Sequence, residues 1–124
     1  MGIILIVEDT DTATPLEIAL STLDGMETRI VSNGLDALAV LHSISEELAA
    51  IVTDLHLPFI DGFEIVAAVR SHPRYAKLPI IVVSGDNHPD SFRRVLGLGA
   101  NVCFSKPYSP CEVRRTLEDL LHAA

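Results

Sequence analysis

The stretch "IILIVEDTD", residues 3–11, decides the fold because it joins an unbroken aliphatic run to a group of acids. The five apolar residues 3–7 suit a strand that is buried on both faces, as the strands of parallel sheets are. Glu8 and Asp9 follow at once. Carboxylates beside a buried strand are unfavourable unless a cation or hydrogen-bond donors compensate them. The stretch therefore predicts a parallel sheet with a charged site at its edge.

The length and composition suit one globular domain covering residues 1–124. A hydrophobic fraction of 48% with 21% charged residues argues against a disordered chain. The apolar runs are far shorter than the ~20 residues that cross a bilayer, and no signal-peptide pattern opens the sequence. We expect a soluble protein that resides in the cytoplasm and does not bind membranes.

The formal net charge of −8 bears on possible partners. It disfavours direct nucleic-acid binding, which depends largely on cationic contacts with phosphate. It favours a cationic partner or a metal ion. Cys103 and Cys111 have no metal-ligand spacing and are interpreted as free thiols.

Apolar, β-branched runs alternate with stretches of helical periodicity along the chain. Thr14-Pro15-Leu16-Glu17 and Ser109-Pro110-Cys111-Glu112 are both typical of helix starts, with a capping box and a proline at the first helical position. Five strands alternating with five helices predict an α/β fold with a doubly wound parallel sheet. The predicted strands are residues 3–7, 28–31, 50–53, 80–83 and 102–104.

Polar residues stand where these strands end, at the edge where such sheets bind their ligands. Asp54 closes the third strand, Ser84 the fourth, and Lys106 follows the fifth. The group formed with Glu8 and Asp9 contains three carboxylates, on Glu8, Asp9 and Asp54. These carboxylates repel one another unless positive charge intervenes. Lys106 supplies one charge, and a divalent cation with oxygen ligands and retained waters, such as Mg²⁺, suits the remainder.

The same group matches the needs of phosphoryl transfer, which relies on positioning and on neutralising the phosphoryl oxygens. A metal ion, Lys106 and the Ser84 hydroxyl offer three contacts for three oxygens. A carboxylate in line with the phosphorus can act as the nucleophile, and Asp54 is the central candidate.

These residues resemble the receiver domain of bacterial two-component response regulators, the family typified by the chemotaxis regulator. The resemblance covers nearly the whole chain. The motifs that support it are "VEDT", "NGLDALAVL", "VTDLHLPFIDGFE", "LPIIVVSG" and "GANVCFSKPYSP".

The resemblance implies a flavodoxin-like (βα)5 domain with strand order 2-1-3-4-5 and Asp54 as the phospho-acceptor. It implies that Mg²⁺, or Mn²⁺, is bound directly by Asp9, Asp54 and the backbone carbonyl of His56, and through a water by Glu8. Lys106 then pairs with the phosphoryl group, and Ser84 moves toward it.

The resemblance also implies a phosphohistidine donor, on a sensor histidine kinase or a histidine phosphotransfer protein. The readout surface is expected over about residues 88–122, with dimerisation possible there, and the output partner is unknown. Such a domain is a signalling switch rather than a turnover enzyme.

One position departs from the family. The aromatic residue expected three positions before the lysine is replaced by Cys103, and strand alternation places the neighbouring Phe104 on the opposite face. Coupling through the loop around residues 85–88 is one alternative. His56 and Asp86 occupy positions that tune the phosphoryl lifetime in the family.

Three other functions were weighed. A pseudo-receiver that is never phosphorylated remains the main alternative because of Cys103. A haloacid-dehalogenase-type phosphatase would need its nucleophile on the first strand and a second acid two residues later, where Asp54 has His56. A flavin-binding protein would need a phosphate-cradling loop after the first strand, which the sequence lacks.

Overall fold

The computed structural model describes residues 2–43, 47–86 and 88–123, with the side chains of residues 10–12 and 43 outside the description. Five parallel strands form one sheet in the order β2-β1-β3-β4-β5. This confirms the predicted flavodoxin-like order 2-1-3-4-5. The strands are β1 Gly2–Val7, β2 Met26–Val31, β3 Leu48–Asp54, β4 Ile80–Ser84 and β5 Val102–Ser105.

Five α-helices connect the strands, as the alternating pattern predicts. A short 3-10 helix, Pro73–Tyr75, precedes β4 and was not predicted. Among the described residues no helix is long and apolar enough to span a membrane. The helices are α1 Thr10–Leu20, α2 Gly34–Ser43, α3 Gly62–Ser71, α4 Pro89–Leu98 and α5 Pro110–His122.

The three central strands, β1, β3 and β4, are nearly completely buried because helices cover both faces of the sheet. Alternate side chains of each strand enter two apolar clusters, one beneath α2, α3 and α4 and the other beneath α1 and α5. Each fully buried Leu or Ile stabilises the fold by about 1.5–3 kcal/mol. The polar ends of these strands are therefore held on a rigid base.

The capping pattern places the first helical residue at Pro15, but the first helix begins five residues earlier. The helix starts at Thr10, and the Ala13 amide donates to the Asp9 carbonyl at 2.8 Å. Pro15 lies inside the helix and lacks one backbone donor. Burial of Leu16 and Leu20 against the sheet offsets that loss. The predicted cap at Thr14, with the helix starting at Pro15, is thus wrong.

The second capping pattern is confirmed at α5. Ser109 is the residue that caps the helix, and its hydroxyl accepts a hydrogen bond from the Glu112 amide at 3.3 Å. Pro110 occupies the first helical position, where its missing amide costs nothing.

The segment between β3 and α3 is held by two glycines that allow close backbone contact. The Gly62 amide donates to the Leu55 carbonyl at 2.7 Å, and a Cβ at Gly62 would lie 2.7 Å from the Leu55 Cα. A Cβ at Gly34 would lie 2.7 Å from the Ile60 Cβ. These contacts fix both ends of the loop that follows Asp54.

We expect Gly62→Ala to lower the free energy of unfolding by about 1–3 kcal/mol, because the added methyl meets backbone that cannot yield easily. Gly97→Ala is the matched control, since Gly97 lies in α4 with open space around it. That change should be neutral or stabilising by up to about 1 kcal/mol, because alanine favours helix. Urea unfolding of both variants measures the difference, and equal effects would contradict the close packing at Gly62.

Candidate functional site

The ammonium group of Lys106 joins two carboxylates that come from different strands. Its Nζ lies 2.6 Å from Asp54 Oδ2, 3.1 Å from Glu8 Oε1 and 3.0 Å from Glu8 Oε2. Glu8 is 2% exposed and Asp54 is 9% exposed. A single cation therefore compensates two buried acids at the carboxyl end of the sheet.

Burial and charge shift the ionisation of this group. The pKa of Glu8 is raised, chiefly because burial disfavours its charged form and also because the Asp54 charge lies near, although the hydrogen bond from Lys106 opposes the shift. Burial acts to lower the pKa of Lys106, but its hydrogen bonds to Asp54 and Glu8 outweigh that effect and the pKa is raised. Lys106 therefore remains charged at neutral pH.

The sheet places these side chains through its backbone. Glu8 follows β1 directly, and Asp54 is the last residue of β3. The Lys106 amide donates to the Ser84 carbonyl at 2.8 Å, which ties the segment after β5 to the end of β4. The peptide bond between Lys106 and Pro107 is cis.

The predicted site residues Glu8, Asp9, Asp54, His56 and Lys106 line one pocket of ≈ 380 Å³. The lining also includes Ser32, which sequence reasoning missed. Ser32 follows β2, so the rule that sites form at the carboxyl ends of strands could have found it. The remaining lining residues are Leu57 and Pro58.

The three acids Glu8, Asp9 and Asp54 line the same pocket, but they are not equivalent. Lys106 lies between Glu8 and Asp54, and Asp9 is exposed. Among the residues described, no three His, Cys, Asp or Glu side chains are grouped so as to hold a metal ion. The ammonium group therefore takes the central place among the acids.

The donor set nevertheless fits a hydrated divalent ion. Mg²⁺ commonly uses only one or two carboxylates and retains several waters. Asp9 and Asp54 line the same pocket, beside His56. Glu8 Oε2 is buried and accepts no hydrogen bond among the described residues, although the Lys106 charge is near it. That oxygen is suited to accept a bond from a metal-bound water.

Ser84 is fully buried at the end of β4, and its hydroxyl accepts a hydrogen bond from the Asp86 amide at 3.0 Å. The Asp86 carboxylate accepts hydrogen bonds from the His88 amide at 2.9 Å and the Ser91 hydroxyl at 2.8 Å, and it contacts His56 Nε2 at 3.1 Å. These bonds lower the pKa of Asp86 to about 2, and the hydrogen bond from the His88 amide makes the largest contribution.

The Asp86 contacts connect the loop after β3 with the first turn of α4. The sequence pointed to His56 and Asp86 separately, but not to their mutual contact. Asn87, which lies in the predicted coupling loop at residues 85–88, is outside the described residues.

Cys103 and Phe104 lie on opposite faces of the sheet, as strand alternation predicts. Cys103 packs beside the cluster under α2, α3 and α4, whereas Phe104 packs on the other face near α5. Burial raises the pKa of the Cys103 thiol to about 11, so the thiol is protonated at neutral pH. Phe104 therefore cannot replace the missing aromatic on the α4 side.

The chain was compared with known proteins. The family model described as the response regulator receiver domain matches residues 4–118. The transcriptional regulatory protein GltR of Pseudomonas aeruginosa is 36% identical over 99% of this chain, which spans 50% of GltR.

Two solved structures share the fold. The signal receiver domain of a DNA-binding response regulator from Colwellia psychrerythraea has a TM-score of 0.86 and 30% identity, with 98% of each chain covered. The receiver domain of the sensor histidine kinase PA1611 from Pseudomonas aeruginosa has a TM-score of 0.80 and 24% identity, covering 99% of this chain and 100% of that one. The PA1611 structure has a magnesium ion coordinated in its active-site cleft.

We expect Lys106→Met to lower the free energy of unfolding at neutral pH by about 1–3 kcal/mol, because it leaves two buried carboxylates uncompensated. Without the lysine, the folded-state pKa of Glu8 rises further above its unfolded value. The deficit should therefore be smallest below about pH 4, where Glu8 is largely protonated in both the folded and the unfolded state, and should grow as the pH rises.

Urea unfolding across this pH range measures the effect. Lys77→Met is the matched control, since Lys77 is exposed and lies before the amino end of β4, at the opposite edge of the sheet from Glu8 and Asp54. A Lys106→Met deficit that is small, independent of pH or equal to that of Lys77→Met would contradict the charge balance described above.

Proposed function

Because this chain belongs to the family of response regulator receiver domains, we propose that it is a phospho-acceptor in two-component signal transduction. It accepts a phosphoryl group on Asp54 from a phosphohistidine of a sensor histidine kinase or histidine phosphotransfer protein, in the cytoplasm. The main support is the contact of Lys106 with both Asp54 and Glu8 at the carboxyl ends of the strands.

The proposed transfer needs one nucleophile and one leaving group. A carboxylate oxygen of Asp54 attacks the phosphorus and forms a P–O bond, while the P–N bond to the donor imidazole breaks and its electron pair stays on the nitrogen. Lys106 exchanges its contact with Asp54 for one with a phosphoryl oxygen. Attack of water on phosphorus later returns Asp54 to the carboxylate, so the chemistry acts on the domain itself and not on a separate substrate.

Receiver domains related to this chain bind a divalent metal in the cleft, as the PA1611 domain does. In this chain Mg²⁺, or Mn²⁺, would be held by Asp9, Asp54 and the backbone carbonyl of His56, with Glu8 bonding through a water. The ion supplies positive charge that stabilises the phosphoryl oxygens during transfer. Lys106 keeps the remaining negative charge of Glu8 in balance.

The response to phosphorylation starts at Ser84. A phosphoryl group adds about −1.5 to −2 charge and three acceptor oxygens. The Ser84 hydroxyl turns toward these oxygens. It thereby loses the hydrogen bond that it accepts from the Asp86 amide in the present structure. Because Asp86 also contacts His56 and Ser91, its movement reaches the start of α4. This route replaces the aromatic absent at Cys103 and changes the readout surface at residues 88–122.

Other functions fit less well. A haloacid-dehalogenase-type phosphatase needs its nucleophile on the first strand, whereas Asp54 ends β3 and has His56 in the place of the second acid. A pseudo-receiver does not need the full set Glu8, Asp9, Asp54, Ser84 and Lys106, and all five residues are present in this chain. The output partner is a separate question, because GltR is about twice as long as this chain.

Incubation with acetyl phosphate and Mg²⁺ should add one phosphoryl group to the parent chain, detected by intact mass. Asp54→Asn should abolish the gain, because it removes the nucleophile. Asp86→Asn is the matched control: it changes a nearby carboxylate, and the variant should still gain the group. Omission of the metal ion should prevent the gain in the parent chain and in Asp86→Asn.

An unchanged mass of the parent chain would favour the pseudo-receiver. A gain that persists in Asp54→Asn would place the acceptor elsewhere. Release of phosphate from many organic monoesters would favour a phosphatase.

Phosphorylation should speed hydrogen exchange of the Asp86 amide by about fivefold or more, because the amide loses its bond to Ser84. In Ser84→Ala the exchange should be fast from the start and change little on phosphorylation. Ser105→Ala is the control, since Ser105 ends the neighbouring strand and is exposed. Amide exchange read by NMR measures the rates, and an unchanged Asp86 rate in the phosphorylated parent would exclude this route.

A further inference from the structure

We propose that Phe59 is an anchor on which the surface around the donor's phosphohistidine docks, an inference that rests on the proposed phospho-acceptor function. Phe59 is 79% exposed, the largest exposed fraction among the large hydrophobic side chains described. It follows Pro58, which lines the acceptor pocket.

The backbone at Phe59 is also unusual. Phe59 has a φ of 72°, and it is the one residue other than glycine with positive φ among those described. The Ile60 amide donates to the Pro58 carbonyl at 2.9 Å across it. A three-residue turn with this φ at its centre is the strained form of the γ-turn, which is rare for a bulky residue. Glycine or asparagine would occupy this position with less strain.

The fold does not account for an aromatic side chain here. Leu57 and Ile60, the neighbours on either side of the turn, pack against the apolar core, whereas Phe59 belongs to neither core cluster. Within the described part of the chain, no core packing of the exposed ring offsets the backbone strain at this position. Strained residues that the packing does not require are concentrated at functional sites.

Phe59 belongs to a small apolar patch at the edge of the pocket, which we call the docking patch and define as Leu35, Pro58 and Phe59. Leu35 is 51% exposed at the start of α2. Gly34, the residue before it, packs directly against Ile60, the residue after Phe59. The start of α2 and the turn at Phe59 are thus neighbours, and Pro58 connects them to the pocket.

The position and charge of the patch indicate its occupant. A phosphohistidine that delivers its group to Asp54 must bring its imidazole into the pocket, so the surface around that imidazole has to cover the pocket's rim. The acids Asp36, Asp61 and Glu64 lie next to the patch in sequence. The complementary surface is therefore apolar at its centre and basic at its edge, as in a protein donor and unlike a small phosphate ester.

The test compares two donors on the same variants. Phe59→Ala and Phe59→Gly should slow transfer from a histidine-phosphorylated sensor kinase by about tenfold or more, as expected for loss of an interface anchor. The kinase used is the one in a purified panel that phosphorylates the parent chain fastest. Both variants should keep the parent's rate with acetyl phosphate, which needs no docking surface. Phe59→Gly should also unfold at no lower urea concentration than the parent, because glycine relieves the turn.

Leu96→Ala is the matched control. Leu96 is 45% exposed on α4 and should leave both rates unchanged. Undiminished transfer from the kinase to both Phe59 variants would overturn the docking role while leaving the phospho-acceptor function intact. Equal slowing with both donors would also overturn it, because the effect would then lie in the pocket. A change in oligomeric state without slower transfer would assign the patch to a second copy of the chain. Failure of the parent itself to accept a group from acetyl phosphate would instead reject the proposed function.

Discussion

The bridge from Lys106 to Glu8 and Asp54 is the interaction on which the remaining features of the site depend. A parallel sheet directs the ends of β1 and β3 to the same edge, so two carboxylates end up buried close to each other. Burial raises the pKa of Glu8, and the hydrogen bond from the nearby ammonium group opposes that shift. The lysine is near enough to compensate the acids, and the proposed function requires that it can also move when a phosphoryl group arrives.

The segments around the pocket are closely fitted. Gly62 and Gly34 allow the loop after Asp54 to lie directly against the end of β3 and the start of α2. Asp86 joins the same loop to α4 through His56 and Ser91. Asp54 is therefore close to a set of contacts, from His56 through Asp86 to Ser91, that reaches α4. Packed contacts of this kind respond as two-state elements rather than by gradual deformation.

Much of the fold was predictable because its signals are local. The aliphatic runs of β1 and β4 gave the parallel sheet, and Ser109-Pro110 gave the start of α5 correctly. The pattern at Thr14-Pro15 failed because a capping motif inside a helix looks the same in sequence as one at its start. The burial of Ala13, which precedes the motif and packs in the core beneath α1 and α5, fits the earlier start.

The sequence indicated which residues share the pocket, but it did not indicate how their side chains are arranged within it. The strand ends brought Glu8, Asp54 and Lys106 into one pocket, as expected. The central place of the ammonium group depends on side-chain conformations that sequence does not encode locally. The strained turn at Phe59 was missed for a similar reason, since phenylalanine carries no turn signal and nothing in the sequence indicates a positive φ there.

If the pocket organised by Lys106 makes Asp54 the phospho-acceptor, the phosphoryl group must lie on that residue. Reduction of the phosphorylated chain with borohydride, which converts an acyl phosphate to an alcohol, followed by peptide mass mapping, locates the acceptor directly. We expect homoserine at position 54, and only after treatment with phosphodonor and Mg²⁺. Homoserine at another aspartate, or none at all in a chain that has gained a phosphoryl group, would exclude Asp54 as the acceptor.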